Sequence, residues 1–118
     1  MVFLLSDFHA EHYEKPLTIC SRRHDLIAIP IEDPGELSLP NIGLVLVEDP
    51  ESGAMYEIDS ADRRVRSQFS EFAERERVDR EALFRRKSID SVPLRTNQDY
   101  FPVLRAFFIR RENRLRRQ

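Results

Sequence analysis

The chain has 118 residues, 41% of them hydrophobic and 34% charged, with a formal net charge of -2. That is enough apolar material for one core and too little for two, and so even a charge balance exerts no overall pull toward nucleic acid or anionic membrane. A single cysteine, Cys20, excludes an intrachain disulfide, no Cys/His spacing matches a structural zinc site, and three glycines leave no Gly-rich phosphate-cradling loop.

The run Val2-Phe-Leu-Leu ends at Ser6-Asp7. It is far shorter than a signal-peptide core or the roughly 20 apolar residues of a membrane span, so it reads as a strand buried on both faces, in a cytoplasmic protein. From about Glu11 to Arg23, Tyr13, Leu17 and Ile19 or Cys20 recur at helical spacing, with Pro16 confined to the first turn. Leu26-Ile-Ala-Ile-Pro-Ile is a second strand, which makes a right-handed strand–helix–strand crossover the expected geometry. Pro30 predicts a strand end or an unpaired side at that point.

After the turn-rich Glu32-Asp-Pro-Gly-Glu, the segments Gly43-Leu-Val-Leu-Val and Met55-Tyr-Glu-Ile flank Asp49-Pro-Glu-Ser-Gly as a hairpin. Ser60 is the expected N-cap of a helix from Ala61 to about Lys87, with an apolar stripe of Val65, Phe69, Phe72 and Ala73. Glu76 and Asp79 interrupt that stripe and predict a bend, a break or an overhang. Ile89 to Leu94 gives another short strand. Tyr100 to Ile109 gives a last helix capped by Asp99, with Phe101, Leu104 and Phe108 on one face. The sum is an α/β protein with a mostly parallel sheet, strands at 2–6, 26–31 and 89–94, and an antiparallel hairpin at one side.

In this order, Val2-Phe-Leu-Leu-Ser-Asp-Phe, Arg23-His-Asp-Leu-Ile-Ala-Ile, Leu39-Pro-Asn-Ile-Gly-Leu, the hairpin ending Ile58-Asp, and Leu94-Arg-Thr-Asn-Gln-Asp-Tyr resemble one bacterial family. It is the von Willebrand factor A-like family known as domain of unknown function fifty-eight. The resemblance covers nearly the whole chain. It implies a partial Rossmann-like, three-layer sandwich, with residues 1–118 forming the C-terminal half of a single domain, and work beside a MoxR-type AAA+ ATPase in complex assembly.

A complete domain of this kind holds Mg²⁺ at a metal-ion-dependent adhesion site built from Asp-x-Ser-x-Ser and a later strand-end Asp. Ser6-Asp7 matches the later position, but no Asp-x-Ser-x-Ser occurs in the chain. One carboxylate cannot satisfy an ion that wants octahedral oxygen coordination. The resemblance therefore implies Mg²⁺ only if an upstream half supplies the rest. It makes Asp7 the remnant of a metal site, and Ser6, Asp7 and Phe8 a place where a partner docks.

Asp7 also stands just past the C-terminal end of a predicted parallel strand, where open α/β sheets place ligands; the plain alternative is a turn or capping aspartate. His9 and His12 lie three apart with Glu11 and Glu14 nearby, so a small metal- or phosphate-handling enzyme using Asp7, His9 and His12 is the competing reading. Against it stands an exposed loop entering a helix. No nucleophile elbow, nucleotide loop or His-Glu-x-x-His is present, and the chain is not expected to be an enzyme. His24 reads as a turn residue and Cys20 as a small core residue.

The last nine residues carry Arg110, Arg111, Arg114, Arg116 and Arg117. This basic tail, 110–118, suits an acidic partner, and without interleaved aromatics it is poorly equipped for nucleic acid. The partners expected are the upstream half of the domain or a MoxR-type ATPase, with a homodimer as the fate of the chain on its own.

Overall fold

The computed structural model describes residues 1–9, 12–49 and 52–117. They form β1 (Val2–Ser6), α1 (Glu14–Arg23), β2 (Leu26–Glu32), the short α2 (Pro34–Leu37), β3 (Leu44–Glu48), β4 (Met55–Asp59), α3 (Arg63–Arg86), β5 (Asp90–Ser91), β6 (Leu94–Arg95) and α4 (Tyr100–Arg116). Two compact units result, one of Met1–Pro34 with Asp79–Gln118, the other of Gly35–Val78.

The first unit is built on a parallel sheet in the order β1-β2-β5, with β6 following β5 along the same side of β2. Because successive side chains in a strand point to opposite faces, β2 feeds two cores. Leu26 and Ala28 join Leu17 of α1, Leu83 and Phe84 of α3 and Ile89 on one face. Ile27 and Ile29 join Val92 and Phe107 of α4 on the other, flanked by Val103 and Leu104. Helices on both faces of a mostly parallel sheet make the three layers expected of the α/β reading, and they explain why β2 is apolar without alternation.

Pro30 lies inside β2, opposite Ser6 in the register with β1. The Ala28 carbonyl accepts from Val92 N–H at 3.0 Å and the Glu32 carbonyl from Thr96 N–H at 3.0 Å, both on the side away from β1. Alternation puts the nitrogen of Pro30 on that same side, in the gap between β5 and β6. The missing donor thus coincides with an unpaired side, and the single strand expected at 89–94 is split in two around Pro93.

In the second unit β3 and β4 pair antiparallel as a hairpin. Gly53, in its loop, has φ +72, the left-handed region that glycine enters without cost. Ser60 does not cap α3. It is wholly buried, its Oγ donates to the Gly43 carbonyl, and it accepts from Ile42 N–H at 3.0 Å. The capping belongs to Asp62, whose side chain accepts from Arg64 N–H at 2.9 Å while its carbonyl takes the first helical bond from Arg66. The α3 helix runs unbroken past Glu76 and Asp79, both exposed. A short helix, α2, stands where a plain turn was expected after Glu32.

The last helix extends to Arg116, so most of the presumed tail is helical. Asp99 caps it as expected, accepting from Phe101 N–H at 3.1 Å. Its buried face is centred on Phe107, whereas Phe101 is 62% and Phe108 36% exposed.

Candidate functional site

The open edge of the sheet is β1. Among the described residues it pairs only with β2, and its three central side chains, Phe3, Leu4 and Leu5, are 44%, 37% and 60% exposed. The register decides which backbone groups are free. Val2 N–H donates to the Asp25 carbonyl at 2.8 Å, so Val2, and by alternation Leu4 and Ser6, direct their backbone groups to β2. Phe3 and Leu5 direct theirs outward. On the α4 face Phe3 meets Phe108 edge to face, with ring centroids 5.9 Å apart. An unpaired row of donors and acceptors flanked by apolar side chains is a template for another strand.

At the C-terminal end of β1 the chain turns sharply. Ser6 Oγ accepts from Phe8 N–H at 3.1 Å, and the Asp7 carboxylate accepts from His9 N–H at 3.1 Å. Phe8 adopts φ +56, which turns its ring back onto Phe84 and Tyr13 at centroid distances of 5.2 and 5.4 Å. Ser6 is thus half-buried, Asp7 is an exposed turn residue, and Phe8 plugs the core face of α1 and α3. Of the three residues read as a docking point, only Asp7 presents its side chain fully to solvent.

His9 and His12 are exposed and both precede α1, which begins at Glu14, so they do not share a helical face. Glu11 lies outside the described residues. Among the described residues no group of three His, Cys, Asp or Glu is placed to hold a metal ion. A lone exposed carboxylate already engaged in a turn does not fit Mg²⁺. His24 closes α1 through its backbone N–H to the Cys20 carbonyl, and Cys20 packs against the core. An open depression beside α1 is lined by His12, Tyr13, Lys15, Thr18, Leu83 and Lys87. Its Lys87 faces Glu14 at 4.0 Å.

Just beyond this end of the sheet lies an ion pair that pattern reading passes over. Glu32, 7% exposed, accepts from Arg80 of α3 at 2.7 Å, with Arg95 3.8 Å away. Beside it Ser91 Oγ donates to Glu81 at 3.3 Å. The only sequence signal is that Glu32 continues the alternation of β2 toward the α3 face.

The basic segment divides into two sets. Arg111 pairs with Asp25 and lies 3.6 Å from Asp90, and Arg114 pairs with Asp90 at 2.6 Å. The hydrogen bond from Arg111 holds the Asp25 carboxyl below its ordinary range, its charge adding to the effect against desolvation; the bond that Arg114 donates to Asp90 raises Arg114. Arg116 pairs with Glu112 on its own helix at 2.7 Å. Arg110 and Arg117 are exposed.

No helix is long and apolar enough to cross a membrane among the described residues. A family model described as protein of unknown function DUF58 matches residues 1–79. The chain is similar to Uncharacterized protein MAV169 of Mycobacterium avium, 31% identical over 108 residues, which cover 91% of this chain and 63% of that protein. It is also similar to Uncharacterized protein Mb1516 of Mycobacterium bovis and Uncharacterized protein Rv1480 of Mycobacterium tuberculosis, each 32% identical over 108 residues covering 91% of this chain and 34% of the relative. The chain therefore spans less than two thirds of the length of each. No solved structure matches it.

Proposed function

Since the chain belongs to the DUF58 family, which is von Willebrand factor A-like and associated with MoxR-type ATPases, we propose that it is a protein-interaction module completed by a further strand on its open β1 edge. The observation that carries this reading is the pairing of outward backbone groups at Phe3 and Leu5 with exposed side chains at the same positions. The strand comes from the other half of a von Willebrand factor A-like domain, the half that bears Asp-x-Ser-x-Ser, so residues 1–118 act as the C-terminal half. Any Mg²⁺ is held largely by donors that the other half brings, with Asp7 at the rim of the junction. The assembled module works in the cytoplasm, without catalysis of its own, beside a MoxR-type AAA+ ATPase in complex assembly.

Proline substitution tests the edge directly. Proline lacks a donor but tolerates extended backbone on an edge strand. Leu5→Pro removes an N–H that faces outward and leaves the β2 ladder intact, whereas Leu4→Pro removes one that β2 uses. The chain co-expressed with the Asp-x-Ser-x-Ser half of a longer family member is expected to form a one-to-one complex by light scattering. Leu5→Pro should abolish the complex while the chain keeps its circular dichroism, and Leu4→Pro should unfold it. A complex that forms equally well with Leu5→Pro, or no complex with the unmodified chain, would overturn the reading.

A further inference from the structure

The hairpin carries a second surface, unrelated to the β1 edge. Its register sets Leu44 opposite Asp59, Leu46 opposite Glu57 and Met55 opposite Glu48. Directly opposed residues of an antiparallel pair share a face, so these six side chains form one surface on which each apolar group stands beside a carboxylate. All six are exposed, Leu44 and Leu46 each at 68% and Met55 at 56%. Among the described residues no cation pairs with Glu48, Glu57 or Asp59.

The sequence is segregated by charge around this feature. From Ser38 to Asp62 it carries Glu48, Asp49, Glu51, Glu57, Asp59 and Asp62 with no lysine or arginine. From Arg105 to Arg117 every charged residue is an arginine except Glu112. At 3.6 residues per turn Arg105, Ile109, Glu112 and Arg116 fall in one line along α4, with Ile109 48% exposed and Arg105 and Arg116 open to solvent. Phe101 and Leu115 add further exposed apolar surface. Arg111 and Arg114 are engaged by Asp25 and Asp90 and take no part.

We propose that the apolar and acidic face of β3–β4 is a docking surface for the apolar and basic face of α4 in a second copy of this chain. Both faces combine exposed aliphatic groups with charge of opposite net sign: three carboxylates on the hairpin, and on the helix Arg105 and Arg116 against the single Glu112 that pairs with Arg116. The contact is heterologous, since each copy offers a hairpin face and a helix face that differ, so association propagates head to tail unless a ring closes. It does not depend on β1, and Leu5→Pro leaves it in place.

Sedimentation of the full chain over a range of concentrations tests this. In about 50 mM salt the weight-average mass should rise above that of the monomer with concentration. In about 500 mM salt, where the screening length falls to about 4 Å, it should return to the monomer. A hairpin variant, Glu48→Lys/Glu57→Lys, and a helix variant, Arg105→Ala/Ile109→Ser/Arg116→Ala, should each stay monomeric with unchanged circular dichroism. Mixed in equal amounts they should give a dimer that grows no further, because one intact hairpin face meets one intact helix face. A monomeric parent chain at low salt, association of either variant alone, or a mixture that stays monomeric would overturn the proposal. Self-association lost on Leu5→Pro but kept in both charge variants would transfer it to the β1 edge.

Discussion

Removing the guanidinium of Arg80 should destabilise the sheet unit more than any other surface-directed change. The Arg80 side chain is 12% exposed and Glu32 7%, so neither can return to water without disrupting the end of β2. In Arg80→Met the aliphatic stem still packs, but among the described residues Glu32 keeps only Arg95, half exposed and 3.8 Å distant. Stripping one partner from a buried pair costs about 3–5 kcal/mol, and the residual Arg95 places this case near the lower end, ~3 kcal/mol. Glu32→Gln keeps an acceptor and leaves Arg80 with Glu81 at 3.9 Å, so it should cost less, ~2 kcal/mol. The double variant should cost about 2 kcal/mol less than the sum of the singles, because the second change removes a charge already orphaned. Urea unfolding followed by circular dichroism gives all three values. A cost under about 1 kcal/mol for Arg80→Met, or additivity within about 0.5 kcal/mol, would refute the claim that this pair is desolvated and coupled.

Three further outcomes follow from the packing. Phe84→Ala empties a site 1% exposed that Phe8 lines, and should cost about 3–5 kcal/mol by urea unfolding; a loss below about 1.5 kcal/mol would mean that the turn at Phe8 collapses into the space. Ser60→Ala leaves Ile42 N–H with only the Pro40 carbonyl, at 3.1 Å, and removes the hydroxyl that joins Ile42 to Gly43, so it should cost about 1 kcal/mol, seen as faster amide exchange in β3 and β4; unchanged exchange there would argue against it. The Asp25 carboxyl is held below its ordinary 3.8 by Arg111. A lowered folded pKa stabilises above the ordinary value, and that increment disappears as pH falls through the folded one. Asp25→Asn should therefore lower the urea midpoint at neutral pH and flatten its fall in acid below pH 3.8, and an acid limb parallel to that of the parent chain would contradict this.

The strand–helix–strand start of the sheet was legible because Val2–Leu5 and Leu26–Ile31 are apolar runs of strand length; the burial expected on both faces holds for β2, whereas β1 is an edge strand whose Phe3, Leu4 and Leu5 are exposed. Pro30 was also informative, since its missing donor falls opposite the break at Pro93. The orientation of α4 was not legible. Apolar residues at 101, 103, 104, 107, 108 and 109 cover so much of the helix that several faces compete. Regular spacing picked Phe101, Leu104 and Phe108; Leu104 does pack on the sheet, but the buried residue is Phe107, which joins Ile27, Ile29 and Val92. Ser60 resembled a cap until the Gly43 carbonyl claimed its hydroxyl, a contact made across 17 positions that no local pattern contains. At the candidate site, the strand-end position of Ser6-Asp7 could be read from the sequence. The left-handed turn that swings Phe8 inward could not.

The clasp formed by Arg111 and Arg114 changes what a deletion of the basic segment would measure. Asp25 precedes β2 and Asp90 opens β5, so two arginines lash the far end of α4 across two strands at their N-terminal ends. Cutting the chain after Ile109 would shorten the helix by two turns and strand both aspartates beside a sheet that had lost part of its cover. Any binding lost by such a truncation would report on folding as much as on recognition. Point changes at Arg110 and Arg117, which hold nothing in place among the described residues, vary the surface charge while the clasp stays shut.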